Sequence, residues 1–541
     1  MADAARPSPG TLLAVPLEER TVLHVLRGAA GTVADRIAVV DQDRRLTYAQ
    51  LYAESLAVAA GLAARGIGHG DRVLIYMENH IDHVTGWFGA NLAGATAVPV
   101  NTAMRGEQLA YVVNHSEARI VLVDAEHLPR FEHVADQLPE VTNILVRGDH
   151  PTTALTPQVE DLASLHGSPP ITPVELRPWD TLGVMYTSGT TGRSKGVLVT
   201  QAQTYGRMWP LQVGAAEPGD VTLVSLPIFH VIGQCRGLYN TLIAHGTAVL
   251  ERRFSASRFL DTCREHGITY VPLVGAMASY LLAQPEREDD DQNPVERICI
   301  GTTIPEVARF AERFGVELTT SYGLTEVGGV LVGPARASGC GYLRSDYEAE
   351  LVDEYDRPVP TGEVGELVLR GREPWTVMAG YLKNPEATAE KWRNLWLHTG
   401  DLMRQRDDGE FVFVGRRTES IRRKGENISL MEVERGLLAH PGVHEAAAVG
   451  VRVDGEVELK AVLVPEPDAT LDLEELVGFL AEEMAYFMVP RYFVTIDRLP
   501  RTESTHRVQR QPLEDAGLEG VWDREAAGLL VTREGLRRRV P

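Results

Sequence analysis

At 541 residues the chain is long enough for about three or four domain-sized units, so a multi-part enzyme is the first expectation. Its 53 Lys+Arg against 75 Asp+Glu leave a net charge of −22, which argues against a general nucleic-acid or anionic-membrane binder because such a surface repels polyanions. With 44% hydrophobic and 24% charged residues the composition is that of neither a disordered chain nor a membrane protein. Cys235, Cys263, Cys299 and Cys340 lie too far apart for a zinc-ligand pair or a disulfide framework, and a reducing cytoplasm fits them. Residues 1–20 lack a basic start followed by an apolar core. The longest uncharged apolar run, 268–284, is broken by Pro272 and Gly275, so neither export nor a membrane span is expected.

Short β-branched runs at 72–76, 97–100, 120–124 and 143–146 read as buried strands separated by Ala/Leu-rich segments. The alternation continues through 182–186, 221–226, 298–300 and 316–319, which predicts α/β layering. Past residue 330 the texture changes. Runs at 349–352, 366–370 and 411–414 sit between turns such as Val359-Pro360-Thr361-Gly362 and predict a small antiparallel, barrel-like part. After the basic stretch Gly415-Arg416-Arg417 the alternation restarts with 447–451, 460–464, a helix near 473–483 and 492–496, enough for a compact α+β unit. The run 286–291 packs five acids around Arg287 without a Gly turn to wrap an ion, and reads as a solvated loop.

The stretch richest in chemistry follows the strand 182–185: Tyr186-Thr187-Ser188-Gly189-Thr190-Thr191-Gly192-Arg193-Ser194-Lys195-Gly196. Glycines let the backbone bend close to a ligand, hydroxyls supply donors and a lysine adds charge, the combination that cradles polyphosphate oxygens. The Gly-Lys-Ser/Thr order of a Walker loop is missing.

At this loop the sequence resembles the adenylate-forming superfamily of acyl-CoA synthetases, nonribosomal adenylation domains and firefly luciferase. Leu46-Thr47-Tyr48, Pro227-Ile228-Phe229-His230, Tyr322-Gly323-Leu324-Thr325-Glu326, His398-Thr399-Gly400-Asp401 and Gly415-Arg416 follow in the family's order, so the resemblance runs from residue 35 to residue 510. Within it, 372–375, 422–429 and 485–492 resemble the crotonobetaine/carnitine-CoA ligase branch, a label that says little about substrate. The resemblance implies an N-terminal AMP-binding domain over 1–415, a hinge at 416–419 and a mobile C-terminal domain over 420–541. It also implies a two-step reaction, in which a carboxylate attacks the α-phosphorus of Mg-ATP and a thiol, usually that of CoA, then attacks the acyl-adenylate.

Carried over residue by residue, Thr187, Ser188, Gly189, Thr190, Thr191, Gly192 and Lys195 would hold the β- and γ-phosphates, and Gly301-Thr302-Thr303 would form the adenine-side loop. After Ser321, Tyr322 would stack on adenine beside Gly323, Thr325 would meet the α-phosphate, Glu326 would ligate Mg²⁺ and Asp401 would accept both ribose hydroxyls. His230 would shape the acyl pocket; taken alone, a histidine among apolar residues also fits a core position. Arg416 and Glu419 fall at the hinge, where Glu419 replaces the family's usual Asp. Arg422, Arg423 and Lys424 fit CoA phosphates or a solvated face equally, Gly425 would let the pantetheine arm pass, and Trp375 reads as packing.

The pattern breaks near the C-terminus. Where the family reads Leu-Pro-Lys-Thr-x-Thr-Gly-Lys, this chain has Leu499-Pro500-Arg501-Thr502-Glu503-Ser504-Thr505-His506-Arg507, placing Arg507 at the position of the catalytic lysine after a one-residue insertion. A planar guanidinium need not replace a compact ammonium without consequence. The departure leaves a second enzyme class open, a diazotase that uses ATP to activate nitrite toward an aryl amine in specialised biosynthesis. A carrier-loading partner is disfavoured by the nearly complete ATP motifs. The first reading remains a cytoplasmic carboxylate-CoA ligase using ATP, Mg²⁺ and CoA, with oligomeric state open, a homodimer included.

Overall fold

The computed structural model describes residues 15–42, 44–151, 157–187, 193–207, 214–301, 303–304, 306–337, 339–416, 420–423, 426–453, 456–467, 471–500, 508 and 510–538. Two large sheets make the N-terminal domain. The first orders its eight strands as Gly380–Tyr381, Lys195–Thr200, Thr181–Thr187, Thr96–Pro99, Arg72–Tyr76, Ala118–Asp124, Asn143–Arg147 and Gln158–Asp161. From Thr181–Thr187 onward the pairing is parallel. Buried on both faces, such strands need unbroken apolar runs, which is why 72–76 and 120–124 were legible in sequence. Along Arg72–Tyr76, Val73 and Ile75 pack toward one helix layer while Leu74 and Tyr76 pack toward the other.

The second sheet is thirteen-stranded and mixed. Its parallel part includes Val221–Val224, Tyr270–Leu273, Arg297–Ile300 and Glu317–Leu324. The antiparallel strands Gly328–Pro334, Gly339–Leu343, Phe411–Arg416, Leu397–Gln405, Val364–Gly371 and Tyr347–Val352 continue from it edge to edge. The helices Val22–Thr32, Tyr48–Ala64 and Ile81–Leu92 fill the layer shared by the two sheets. Leu46-Thr47-Tyr48 has a structural role in that layer: Thr47 forms a capping box with Gln50, and the buried Tyr48 hydroxyl donates to the Gly246 carbonyl at 2.7 Å.

The smaller C-terminal domain is built on a four-stranded sheet, Val443–Val453, Glu456–Pro465, Tyr492–Thr495 and Trp522–Asp523, with the helix Leu473–Glu483 where the sequence predicts it. The two faces of its first strand part company. Ala446 and Ala448 share a cluster with Ala103 of the N-terminal domain, whereas Ala447 and Val449 pack against Leu499, Val508 and Leu513 on the opposite face. The acidic run forms surface ion pairs, except that buried Asp290 pairs with Arg313 at 2.7 Å. Among the described residues no helix is long and apolar enough to cross a membrane.

Candidate active site

The carboxyl ends of Val221–Val224, Arg297–Ile300 and Glu317–Leu324 open into a cavity of about 1500 Å³, which Thr187 and Lys195 border from the first sheet, Asp401 from the antiparallel part, and Glu426, Glu432 and Tyr486 from the C-terminal domain. Strand ends in an open α/β sheet leave backbone groups and loop side chains facing one crevice, and here the second domain roofs it.

Thr187 and Lys195 are backbone partners at the mouth of the Gly/Thr loop, and 188–192, the loop itself, lies outside the described residues. The Lys195 ammonium sits 5.3 Å from the Tyr381 ring centre, and among the described residues it pairs with no carboxylate. Glu326 is buried and accepts from the Tyr381 hydroxyl at 2.7 Å, with the Lys391 ammonium 4.0 Å away. Burial, then the neighbouring Glu326 charge, drives the Tyr381 phenol far above its ordinary range. The Tyr322 hydroxyl donates to Asp401 Oδ2 at 2.6 Å, joining two residues that the sequence assigned to separate parts of the nucleotide. A β-bulge follows Tyr322, and a Cβ on Gly323 would stand 1.9 Å from the Gly328 carbonyl oxygen, so only glycine permits this turn.

His230 lines the cavity with its Nε2 3.3 Å from Glu426 Oε2, a contact across the domain junction. Gly301 and Thr303 also line it, and Thr325 and Ser321 lie on the wall beside Glu326 and Tyr322. Thr302, Gly425 and Arg507 lie outside the described residues, as do 417–419 of the expected hinge. Arg416, the first residue of the expected hinge, ends the strand Phe411–Arg416 as the backbone partner of Asp401. Arg423 is committed elsewhere: it is 3% exposed and donates to Glu458 at 2.6 Å and to the Phe487 and Val489 carbonyls. Trp375 lies outside the cavity lining, exposed at the surface and tilted against the likewise exposed Trp179 with ring centres 6.0 Å apart.

Sequence reading missed four groups. Tyr381 and Lys391, beside Glu326, sit in no motif. Glu432 accepts from Ser194 Oγ at 2.9 Å across the domain junction, and its burial pushes its carboxyl up to about 7 against the pull of that hydroxyl. Arg236 is 5% exposed in the π-helical stretch Ile232–Tyr239 and lines the cavity. The π-helical register that aims it was not visible in the residue pattern.

The AMP-binding enzyme family model matches residues 26–382, and the AMP-binding enzyme C-terminal domain model matches 432–505. The chain belongs to the AMP-binding enzyme family. A crotonobetaine/carnitine–CoA ligase of Salmonella agona (strain SL483) is 32% identical over 492 residues, covering 87% of this chain and 95% of the relative. Two structures of o-succinylbenzoate CoA synthetase (MenE) from Bacillus subtilis, each 27% identical and covering 91% of this chain and 98% of theirs, match unequally. A double mutant bound with its product analogue OSB-NCoA gives a TM-score of 0.79, the complex with AMP 0.65. This member of the family is an ATP-dependent ligase of the acyl-CoA synthetase type.

Proposed function

We propose that this enzyme is a carboxylate-CoA ligase that adenylates a small-molecule carboxylate with ATP, releases pyrophosphate and passes the acyl group to the thiol of CoA. The observation that carries the reading is the convergence of Lys195, Tyr322, Glu326, Asp401 and His230 on one cavity roofed by the C-terminal domain.

In this reading Thr187, Ser188, Gly189, Thr190, Thr191, Gly192 and Lys195 hold the β- and γ-phosphates, and a cation with no carboxylate partner is what a polyanion requires. Tyr322 stacks on adenine beside Gly301-Thr302-Thr303, and Asp401, held by the Tyr322 hydroxyl, accepts the ribose hydroxyls. Thr325 contacts the α-phosphate. Glu326 offers a hard oxygen donor at the cavity wall, a ligand type that suits Mg²⁺, and a carboxylate has acceptor capacity beyond the Tyr381 bond. Mg²⁺ bound there would neutralise charge on the departing pyrophosphate. The substrate carboxylate attacks the α-phosphorus in line, and Lys195 stabilises charge developing on the leaving group. CoA sulfur then attacks the acyl carbon and AMP leaves.

Domain motion separates the two steps. The proposed division is 1–415, a hinge at 416–419 and 420–541. In the observed pose Glu426 faces His230 at the cavity, which suits a role for the neighbouring sequence position, Gly425, in passing the pantetheine arm, while Val508 packs on the sheet face away from Ala103. The better match to the product-analogue complex of MenE supports reading this pose as the thioester-forming one, with Arg507 brought to the site by rotation about Arg416. The relatives' substrate is not carried over: crotonobetaine and carnitine bear a trimethylammonium group, and Arg236 already places a cation in the cavity. The nitrite alternative draws no support from these relatives.

Purified enzyme screened with ATP over carboxylates, nitrite and aryl amines, with and without CoA, is expected to release pyrophosphate with a carboxylate and to form thioester only when CoA is present. ADP and phosphate as products, or turnover that needs nitrite and an amine, would sink the reading.

A further inference from the structure

Among the described residues five arginines are less than 10% exposed: Arg20, Arg236, Arg344, Arg423 and Arg524. Four have a carboxylate partner, Glu373, Asp346, Glu458 and Glu525 in turn. Arg236 has none. Its Nη1 donates to the Gly214 carbonyl and its Nη2 to Ser321 Oγ, each at 2.9 Å, the Tyr270 hydroxyl is a further hydrogen-bond partner, and all three are neutral groups. The electrostatic neighbours that matter to it are Cys299 and Tyr270, again not carboxylates. Residues 208–213, which precede Gly214 and lie outside the described residues, read Met-Trp-Pro-Leu-Gln-Val and contain no acid.

A buried cation without an anion is costly, and the four paired arginines show how this fold ordinarily avoids that cost. Arg236 also faces the cavity, where Ser321 and Gly329 share its wall. A Cβ on Gly329 would come within 3.2 Å of Arg236 Nη2 and 2.8 Å of Ser321 Oγ, so glycine there leaves the guanidinium and hydroxyl open on that side. His230 precedes the π-helical stretch and meets Glu426 at the domain junction, whereas Arg236 lies within that stretch and is anchored by Gly214 and Ser321, so the two side chains belong to different parts of the cavity wall.

We propose that Arg236, with the Ser321 hydroxyl, receives a second, distal carboxylate of the acid substrate, so that the enzyme's substrates are small acids with a carboxylate at each end. The proposal rests on the carboxylate-CoA ligase reading and narrows it. A guanidinium binds a carboxylate through a two-pronged contact, and Ser321 adds a donor beside it. A trimethylammonium acid of equal length is excluded by like charge.

The test compares matched acids of equal length, straight-chain and aryl, ending in a carboxylate, a methyl group or a trimethylammonium group, by kcat/KM for pyrophosphate release in wild type, Arg236→Met and Arg236→Lys. In wild type the diacid is expected to exceed its methyl-ended partner by about 30-fold or more, with the trimethylammonium acid poorest. In Arg236→Met that ratio should fall toward one, and Arg236→Lys should restore part of it. A structural strut would lower both acids together and leave the ratio unchanged, which overturns the proposal, as does equal use of matched acids by wild type. Should Arg236→Met fail to fold, Ser321→Ala is expected to lower the same ratio by a smaller factor, and an unmoved ratio counts against the proposal. Pyrophosphate release with monoacids alone overturns this inference but not the ligase reading; no release with any acid overturns both.

Discussion

The Tyr322 hydroxyl and Asp401 Oδ2, 2.6 Å apart, join the end of the strand Glu317–Leu324 to the strand Leu397–Gln405. Asp401 is also the backbone partner of Arg416, at the end of the strand Phe411–Arg416. The residue proposed to hold ribose is therefore fixed from one side by the proposed adenine platform and lies on the ladder that leads to the proposed hinge.

Removing that hydrogen bond separates its contribution from that of the ring. Tyr322→Phe keeps the stacking surface and is expected to weaken ATP binding by about tenfold, the worth of one bond to a charged acceptor. Asp401→Ala removes the acceptor itself and is expected to weaken it by about a hundredfold. Titration calorimetry with ATP reads both. Equal losses would mean that the tie, rather than direct ribose contact, holds the nucleotide.

Glu432 gives the domain pose a pH dependence. Docked against Ser194 its carboxyl titrates at about 7 because burial disfavours the charge, the Ser194 hydroxyl and Arg435 offsetting part of this; undocked it returns to the ordinary value of 4.5. The docked pose thus binds the proton more tightly. It is most stable below pH 4.5, loses stability as pH rises toward 7, and changes little beyond. Glu432→Gln removes the titration. The ratio of variant to wild-type rates for thioester formation from supplied acyl-adenylate is expected to rise about tenfold between pH 5.5 and 8, a comparison that cancels the ionisation of the CoA thiol. A flat ratio would show that this carboxyl does not govern docking.

Much of this was legible in the residues, for identifiable reasons. Strands buried on both faces must be continuous apolar runs, so 72–76 and 120–124 could be placed to within two residues, and Asp472, which caps Leu473–Glu483, marks a helix start at the expected point. Motif residues such as Glu326 and Asp401 were named because their neighbours in sequence are fixed. Their partners were not, since Tyr381 reaches Glu326 across 55 residues and Tyr322 reaches Asp401 across 79. Arg423 fits neither reading of the basic run, CoA phosphates or a solvated face, because its guanidinium is buried and spent on Glu458 inside the C-terminal domain.

The hairpin Leu529–Thr532 and Gly535–Arg538, downstream of Arg507, clamps the observed pose. Arg533 Nη1 lies 3.5 Å from Glu78 of the large domain, its carbonyl accepts from Arg105 at 2.6 Å and from Arg130 at 3.3 Å, and Glu534 pairs with Arg253 at 2.7 Å. Burial opposes ionisation of Glu78, but the His127 ring, Arg533 and Arg253 outweigh it and hold the carboxyl down at about 2, so the clamp stays charged at neutral pH. Arg533→Ala is expected to slow thioester formation by about tenfold, as loss of a partly buried ion pair should, while the adenylation half-reaction holds or quickens. Single-turnover assays of each half separate the two. An equal fall in both would assign the hairpin to folding alone.

In the proposed cycle Arg507 serves the adenylating pose. Val508 packs with Leu499 and Val449 on the sheet face opposite Ala448, and Ala448 shares a cluster with Ala103 of the large domain, which favours the proposal that adenylation through Arg507 uses a second orientation of the C-terminal domain. Arg507→Ala should therefore slow pyrophosphate release by a hundredfold or more, on the order of one charge-stabilising contact in a transition state, and leave thioester formation from supplied acyl-adenylate largely intact. Arg507→Lys decides between two accounts of the substitution. If a point charge is all the α-phosphate and carboxylate need, lysine restores most of the rate; if the site has been rebuilt around a planar guanidinium, lysine does little better than alanine. Equal loss in both half-reactions for Arg507→Ala would show that Arg507 does not occupy the position of the catalytic lysine.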